Sequence, residues 1–224
     1  MRIRESTSDY FIGVDLGQKH DFTALCVVER LVREWDQPAD RVSWQRLRDT
    51  SYRLRYLSRI PLGTPYPAVV EKVMKLVKNP NIIGPRQVVV DATGVGGAVF
   101  DMLRAAWPAA WPTGLLVPLT ITGGPAPVQS GVAWSVPKRD LLIGLQVMFE
   151  KGELRIAGNV PAQAVFLKEL AGMQVKQSAS GHRSYGSRRE EGHDDLVLAV
   201  AMACWRAKTY VQWDLHGSQR LPGI

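Results

Sequence analysis

Four aspartates stand at positions from which they could act together chemically. Asp15 follows the apolar run YFIGV, Asp91 follows QVVV, and the adjacent pair Asp194 and Asp195 precedes LVLAVAMA. The first two runs are predicted to be buried strands, and in an open α/β sheet ligands bind beyond the carboxyl ends of the strands. If the two strands are neighbours, their carboxylates approach each other, repel, and need a proton or a cation to share.

Oxygen donors without His or Cys favour a hard cation, Mg²⁺ or Mn²⁺. Two such ions about 4 Å apart can activate a water and stabilise the leaving oxygen of a phosphodiester. Each acid also has an ordinary explanation: Asp15 as a turn residue, Asp91 as the end of a strand or a helix cap, Asp194 as a helix cap, and Asp195 as a favourable charge at the helix start. The set as a whole favours a metal site, because a doubled acid at the start of a buried helix is costly without a cation.

The pattern of strands and helices predicts the sheet that would position these acids. Strands are predicted at 10–17, 22–31, 52–62, 86–93, 114–122 and in ELRIAG (153–158), and helices at 65–79, 94–107, 135–152, 161–176 and 195–208. Ser135 is predicted to cap the third helix, 123–131 to be a flexible loop, and 178–193 to be a mobile loop or hairpin; 32–51 is left unassigned. Strands first, then alternating helices and strands, predict an α/β fold: a mixed sheet of three antiparallel strands followed by parallel strands, with helices on both faces.

Composition limits the class of protein. The 224 residues suit one domain, and the formal charge of +7 favours an anionic partner such as nucleic acid. Cys26 and Cys204 lie in apolar contexts, which predicts buried thiols in a reducing, intracellular setting. No apolar run reaches membrane-spanning length, and the N-terminus lacks the apolar core of a signal peptide.

Four segments together resemble the nuclease domain of bacteriophage terminase large subunits. They are YFIGVDLGQKHDFTAL, VVVDATGVGGAVFDML, VPKRDLLIGLQVMFEKGELRI and GHDDLVLAVAMA, and they span roughly 10–208. The resemblance implies a ribonuclease H-like fold and a single nuclease domain over 1–224, with its core at about 10–208, a flexible N-terminus and a C-terminal tail. It also implies cleavage of double-stranded DNA during genome packaging, with two Mg²⁺ or Mn²⁺ ions held by Asp15, Asp91 and the Asp194/Asp195 pair. Asp195 is favoured as the direct ligand.

The resemblance implies partners and a location as well. The partners would be double-stranded DNA, a packaging ATPase domain, the small terminase subunit and the portal, with no membrane, in the cytoplasm of the host cell. Family members join the nuclease to an N-terminal ATPase, whereas no G-x-x-x-x-G-K-[ST] loop occurs here. We therefore expect an excised domain or a stand-alone relative.

Basic residues near the acids are the predicted contacts to DNA phosphates. The set is Lys19, Lys138, Arg139, Arg183, Arg188 and Arg189. A solvated loop explains the last three equally well. Lys138 and Arg139 lie at the start of a predicted helix, where positive charge is unfavourable, which indicates an anion nearby.

Other functions remain open from the residues alone. A junction resolvase or a ribonuclease H would use the same acids on a different substrate, and a nucleic-acid-binding module would use the charge without cutting. DLGQKHDFTA also resembles the phosphate hairpin of actin-like ATPases, but the second hairpin that those proteins need is not found. GVGG at 94–97 lacks the third glycine of a dinucleotide-binding turn.

Overall fold

One mixed sheet runs through the molecule and brings the acidic strand ends to one edge. The computed structural model describes residues 2–17, 21–38, 46–94, 96–112, 115–177, 183–187 and 193–210. Its strands are β1 (Ile3–Asp15), β2 (Thr23–Pro38), β3 (Arg46–Ile60), β4 (Arg86–Asp91), β5 (Leu116–Thr122), β6 (Val128–Ser130), β7 (Ala133–Pro137), β8 (Leu154–Ile156), β9 (Met173–Gln177) and β10 (Arg183–Ser187). Its helices are α1 (Tyr66–Val77), α2 (Gly96–Ala106), α3 (Lys138–Glu150), α4 (Gln163–Gly172) and α5 (Asp195–Thr209).

The sheet has the order β6-β7-β5-β4-β1-β2-β3-β8, and β9 and β10 form a separate hairpin. β1, β2 and β3 pair antiparallel, whereas β4 pairs parallel with β1 and with β5, and β5 pairs parallel with β7. The predicted arrangement of three antiparallel strands followed by parallel strands is confirmed. The mixed pairing follows from the chain order: β1, β2 and β3 follow one another with no helix between them in the described part of the chain, α1 and α2 precede β4 and β5, and β6 turns the chain back so that β7 runs parallel to β5.

Helices cover both faces of the sheet, each over its own apolar core. On one face α5 packs with α3 and α4 in a cluster that includes Phe11, Leu145 and Phe166. On the other face α1 and α2 pack over a cluster that includes Ile12 and Val88. Successive residues of β1 point to opposite faces, so Phe11 and Ile12 enter different cores.

Helix α5 lies very close to β1, and the sequence explains how. Its buried residues extend all round the helix from Asp195 to Ala207, as predicted for a helix inside the molecule. It approaches β1 at Gly13, where an added Cβ would lie 2.1 Å from the carbonyl oxygen of Ala199. The Cys26 thiol on β2 donates a hydrogen bond to that same oxygen (3.2 Å). Both cysteines are buried and free, as predicted.

Several boundaries differ from the sequence prediction. The N-terminus was predicted to be flexible, but residues 3–9 form the first part of β1, paired with β2. Segment 123–131, predicted as a loop, contains β6. Ser135 does not cap α3: it lies in β7, which runs directly into the helix, and Pro137 takes the N-cap position. Pairing with β5 extends β7 through the residues that a helix cap would need.

Two further segments with sequence predictions, 178–193 and the C-terminal tail, lie wholly or partly outside the described residues. Strands β9 and β10 show that a hairpin, one of the two alternatives predicted around 178–193, forms on either side of residues 178–182. The C-terminal tail beyond residue 210 lies outside the described residues. Within the described ranges, none of the helices has the length and apolarity required to cross a bilayer.

Candidate metal centre

A row of residues crosses the sheet at the carboxyl end of β1 and carries charge of both signs. Asp15 pairs with Ala24 on β2, and Ala24 pairs with Arg59 on β3. On the other side Val14 pairs with Val90, which brings Asp91 beside Asp15. The row therefore reads Asp91, Asp15, Ala24, Arg59, with the small alanine beneath the start of α5.

Asp15 and Asp91 form the centre of the site, and their carboxyl groups are close enough for each to shift the pKa of the other. Asp15 is buried, with 8% of its surface exposed. Burial raises its pKa well above the usual value, and the charges of Asp91, Asp194 and Asp195 raise the pKa further. The repulsion is relieved by a proton on Asp15, which can donate to Asp91.

Asp91 is also raised in pKa by burial, but its neighbours oppose the shift. The Thr93 hydroxyl and the Thr93 amide donate to Asp91 Oδ1 (2.5 and 2.9 Å), and Lys138 adds positive charge. The hydroxyl of Thr93 also accepts a hydrogen bond from the Ile121 amide (3.0 Å). The loop after β4 thus orients Asp91 and keeps it the more acidic member of the pair.

Asp194 reaches the site from the N-cap position of α5, although its side chain makes no capping hydrogen bond. Lys138 Nζ donates to Asp194 Oδ2 at 2.6 Å, and both side chains are partly exposed. Lys138 is the first residue of α3, where we expected an anion nearby because of the helix dipole; Asp194 is that anion. The neighbouring Arg139 instead bonds Asp140 (3.0 Å) and the Pro125 carbonyl (3.1 Å).

Asp195 is held differently, by both oxygens and out of solvent. Arg59 Nε donates to Oδ2 (2.8 Å) and Arg59 Nη2 donates to Oδ1 (3.0 Å), which is the bidentate geometry of a strong arginine–carboxylate pair. Arg59 also forms an ion pair with Glu169 of α4. Its guanidinium lies 4.7 Å from the centre of the Phe22 ring, so an aromatic face supports it from one side.

Glu169 lies at the start of α5 and completes this network. Its carboxyl group is close to the backbone amides of Leu196 and Val197, two of the groups that a helix start leaves without intrahelical partners, but its Oε2 atom is buried without a hydrogen-bond partner among the described residues. Burial raises the pKa of Glu169 to about 7, and Asp195 raises it as well, while Arg59 and the two amides oppose the rise.

The four aspartates offer the oxygen ligands that a hard divalent cation prefers. Their side chains, however, do not all point to one position. Among the described residues, no three His, Cys, Asp or Glu side chains are placed to hold a single ion as they stand. Asp194 is turned to Lys138 and Asp195 to Arg59, which leaves Asp15 and Asp91 as the close pair. These two carboxyls fit a cation, since a metal would replace the shared proton and remove the repulsion that raises the pKa of Asp15.

The predicted DNA contacts are distributed unevenly. Lys19, Arg188 and Arg189 lie outside the described residues, and Arg183 begins β10. Lys138 contacts an acid of the site, and Arg139 is exposed beside it. All four predicted acids lie within electrostatic reach of one another, because the charges of Asp91, Asp194 and Asp195 all act on Asp15.

Two solved nucleases share this architecture. The large terminase nuclease from thermophilic phage G20c, with bound magnesium, is 23% identical, with a TM-score of 0.57 over 91% of this chain and 86% of that chain. The Thermus phage P74-26 large terminase nuclease domain is 21% identical, with a TM-score of 0.55 over 90% of this chain and 83% of that chain. The chain adopts the nuclease fold of phage large terminases. No protein-family model and no curated protein matches the sequence.

The fold that the sequence resemblance implies is confirmed, because the chain shares the architecture of terminase nuclease domains. Arg59 and Glu169 were not predicted from the sequence. YRLRYLSRIPL alternates apolar and basic residues, which places every arginine on one wet face if the strand is regular. A β-bulge between the Leu54 and Tyr56 pairings changes the alternation. After the bulge, Leu57 and Arg59 point to the α5 face, and the charge of Arg59 meets Asp195.

Proposed function

We propose that this chain is a divalent-metal-dependent endonuclease that cleaves double-stranded DNA, as the nuclease of a genome-packaging terminase. The observation that carries the proposal is the close pair of the buried Asp15 and the partly exposed Asp91 at the carboxyl edge of the sheet, with Asp194 and Asp195 in electrostatic reach. Such a concentration of acids is unfavourable in a folded protein unless it binds cations. The fold shared with terminase nucleases makes DNA the favoured substrate.

The proposed ligands are the acids of this cluster. Asp15 and Asp91 would hold the cations, two Mg²⁺ or Mn²⁺, and one of Asp194 and Asp195 would supply the third carboxylate. When bound, such ions lower the pKa of a coordinated water and stabilise the leaving oxygen of a phosphodiester. Asp15 must lose its proton before it can bind a cation, and Thr93 fixes the carboxylate of Asp91 during this exchange.

The wider role is proposed on the same basis. Phosphate contacts by Arg139 and the other basic residues would position the duplex without reading sequence, so cleavage should show little sequence preference. A packaging ATPase domain, a small terminase subunit and a portal would be the protein partners, and the cytoplasm of the host cell would be the site of action. The net charge of +7 supports an anionic partner.

Plasmid nicking tests the proposal directly. The parent chain should nick supercoiled DNA with Mg²⁺ or Mn²⁺, and it should be inactive with chelator. Asp15→Asn and Asp91→Asn should each lower the rate by at least about a hundredfold, since each removes charge aimed at the reacting groups. Asp101→Asn is the matched control, because Asp101 is an exposed acid of α2 whose ion pair within the described part of the chain is with Arg104.

A panel of substrates separates the alternatives within the class. Duplex DNA, four-way junctions and RNA–DNA hybrids should be offered to the same preparation. Preference for linear duplex supports the terminase role, whereas preference for junctions or hybrids would support a resolvase or a ribonuclease H. Binding of DNA without cleavage under every metal, in a folded parent chain, would instead identify a binding module.

A further inference from the structure

Each member of the doubled acid has its own resident cation, but the two pairs are built differently. Lys138 holds Asp194 through one oxygen, and both side chains are partly exposed, at 32% and 23%. Arg59 holds Asp195 through both oxygens, and the Asp195 side chain is only 4% exposed. A single lysine contact is easily exchanged, whereas a buried bidentate arginine contact is a fixed part of the fold.

Arg59 is itself fixed from three sides. Glu169 of α4 pairs with the same guanidinium. Phe22 lies under the guanidinium plane. Strand β3 places the residue in the row that contains Asp15, with only Ala24 between them. The arginine therefore joins β3, α4 and α5 at the point where the acids collect.

We propose that Arg59 is the internal counter-cation of the acidic cluster and a positioning residue for Asp195. In the metal-free protein it balances the buried charge of Asp195 and, with Glu169, fixes the start of α5. Because it carries positive charge in the same row as Asp15, it also weakens the attraction of the cluster for divalent cations. The effect of Arg59 on the affinity for cations rests on the proposed metal-dependent function. The balancing of Asp195 by Arg59 does not.

A double-mutant cycle followed by thermal unfolding, in chelator at pH 8, tests whether Arg59 balances the charge of Asp195 in the absence of metal. Arg59→Gln should lower Tm by about 5–10 °C, because it leaves a buried carboxylate without its partner. Arg59→Lys should lower Tm less, because the charge remains and only the bidentate geometry is lost. Combining Arg59→Gln with Asp195→Asn should recover part of the loss, since neither charge then remains.

The matched control is Arg55→Gln, which removes the same charge from the same strand. Arg55 is an exposed residue at the bulge, and its acidic neighbour is Glu29 at 3.6 Å. We expect a shift in Tm of no more than about 2 °C for this variant. If the double variant is no more stable than Arg59→Gln alone, Arg59 does not act as the counter-cation of Asp195 and the inference fails.

Titration with Ca²⁺, followed by calorimetry and by Tm, tests whether Arg59 weakens the affinity of the acidic cluster for divalent cations. Arg59→Gln should bind Ca²⁺ roughly three- to tenfold more tightly than the parent, because a positive charge near the site is gone. Its Tm should also rise more on saturation with Ca²⁺ than that of the parent. Arg55→Gln should match the parent in both measurements. Equal or weaker Ca²⁺ affinity of Arg59→Gln would show that Arg59 has no electrostatic effect on the cation site.

The two proposals fail in different ways. A folded parent chain that binds no Ca²⁺, Mg²⁺ or Mn²⁺ would overturn the proposed function, and the chelator cycle would still decide whether Arg59 balances Asp195. A parent chain that binds metal and nicks DNA, with an Arg59→Gln variant of unchanged metal affinity, would overturn the electrostatic role alone. Nicking by Arg59→Gln should be slower at saturating metal with an unchanged KM for DNA, as expected when Asp195 is misplaced and DNA contacts are intact.

Discussion

At the scale of single residues, the acidic site destabilises the metal-free protein. Asp15 is buried among three other acids, and both burial and these neighbours raise its pKa. A carboxylate held in this way is a liability to the metal-free protein and an advantage only when a cation is bound. Functional sites commonly carry such a local cost.

Asp15→Asn is therefore expected to stabilise the metal-free protein while it abolishes cleavage. The amide keeps the size of the side chain and removes one charge from a repelling set, which should add roughly 1–2 kcal/mol to the free energy of unfolding. Urea unfolding in chelator at pH 8 measures the change, with Asp101→Asn as the exposed control. A clear loss of stability in Asp15→Asn would show that the ionised carboxylate is needed for the fold.

The pH dependence of stability follows from the same shifts. Asp15 and Glu169 both have raised pKa values in the folded protein, with Glu169 at about 7 against an ordinary value of 4.5. The folded state then binds more protons than the unfolded state between these values, so stability falls as pH rises through this window. We expect Tm in chelator to be lower at pH 8 than at pH 5.5.

Two comparisons isolate the source of this effect. Asp15→Asn should reduce the dependence of Tm on pH, because one of the groups responsible is gone. Saturating Ca²⁺ should reduce it as well, since bound cations favour the ionised carboxylates. A Tm that rises steadily from pH 5.5 to pH 8 in chelator would contradict the raised pKa values.

At the scale of elements, α5 must sit directly on β1 for its first residues to reach Asp15. Gly13 permits this approach, because any Cβ there would lie 2.1 Å from the Ala199 carbonyl oxygen, a backbone atom that cannot rotate away. Gly13→Ala should therefore destabilise the protein by about 2 kcal/mol or more and slow cleavage by moving α5.

Gly144→Ala is the matched control within α3. An added Cβ at Gly144 has no neighbour within 4 Å, and alanine favours the helical conformation, so this variant should gain about 0.5–1 kcal/mol. Chemical unfolding of the two variants under one set of conditions gives the comparison. Similar effects of the two substitutions would mean that helix propensity, and not the contact with α5, governs position 13.

The same elements show what the sequence could predict. Asp15 and Asp91 were predictable because apolar strands ended by acids obey a rule about parallel sheet edges. The position of Arg59 was not predictable, because a single bulge in β3 reverses the face of the sheet that its side chain occupies. The regular alternation of apolar and basic residues in this strand does not indicate a bulge. Glu169 was not predictable either, since its ion pair with Arg59 joins α4 to β3, 110 residues away in the sequence.

At the scale of the whole molecule, a net charge of +7 coexists with a cluster of four acids. Among the described residues, the cations that contact these acids are already paired: Lys138 bonds Asp194, and Arg59 bonds Asp195. Attraction to DNA must then come from other basic residues. Arg139 is the described residue that best fits, since it is exposed next to Lys138 at the edge of the site, and its contact with the adjacent Asp140 is a surface pair that a phosphate can replace.

The salt dependence of DNA binding distinguishes a basic residue that contacts phosphate, as proposed for Arg139, from one that is paired with an acid of the site, such as Lys138. In chelator, with Asp15→Asn as the background to prevent cutting, the logarithm of the association constant should fall linearly with the logarithm of salt concentration. Arg139→Ala should reduce the slope by about one, as expected for a lost phosphate contact. Lys138→Ala should leave the slope almost unchanged, because Asp194 already neutralises that lysine. An equal loss of slope in both variants would mean that Lys138 leaves Asp194 to bind phosphate, and that DNA itself frees this acid to receive a cation.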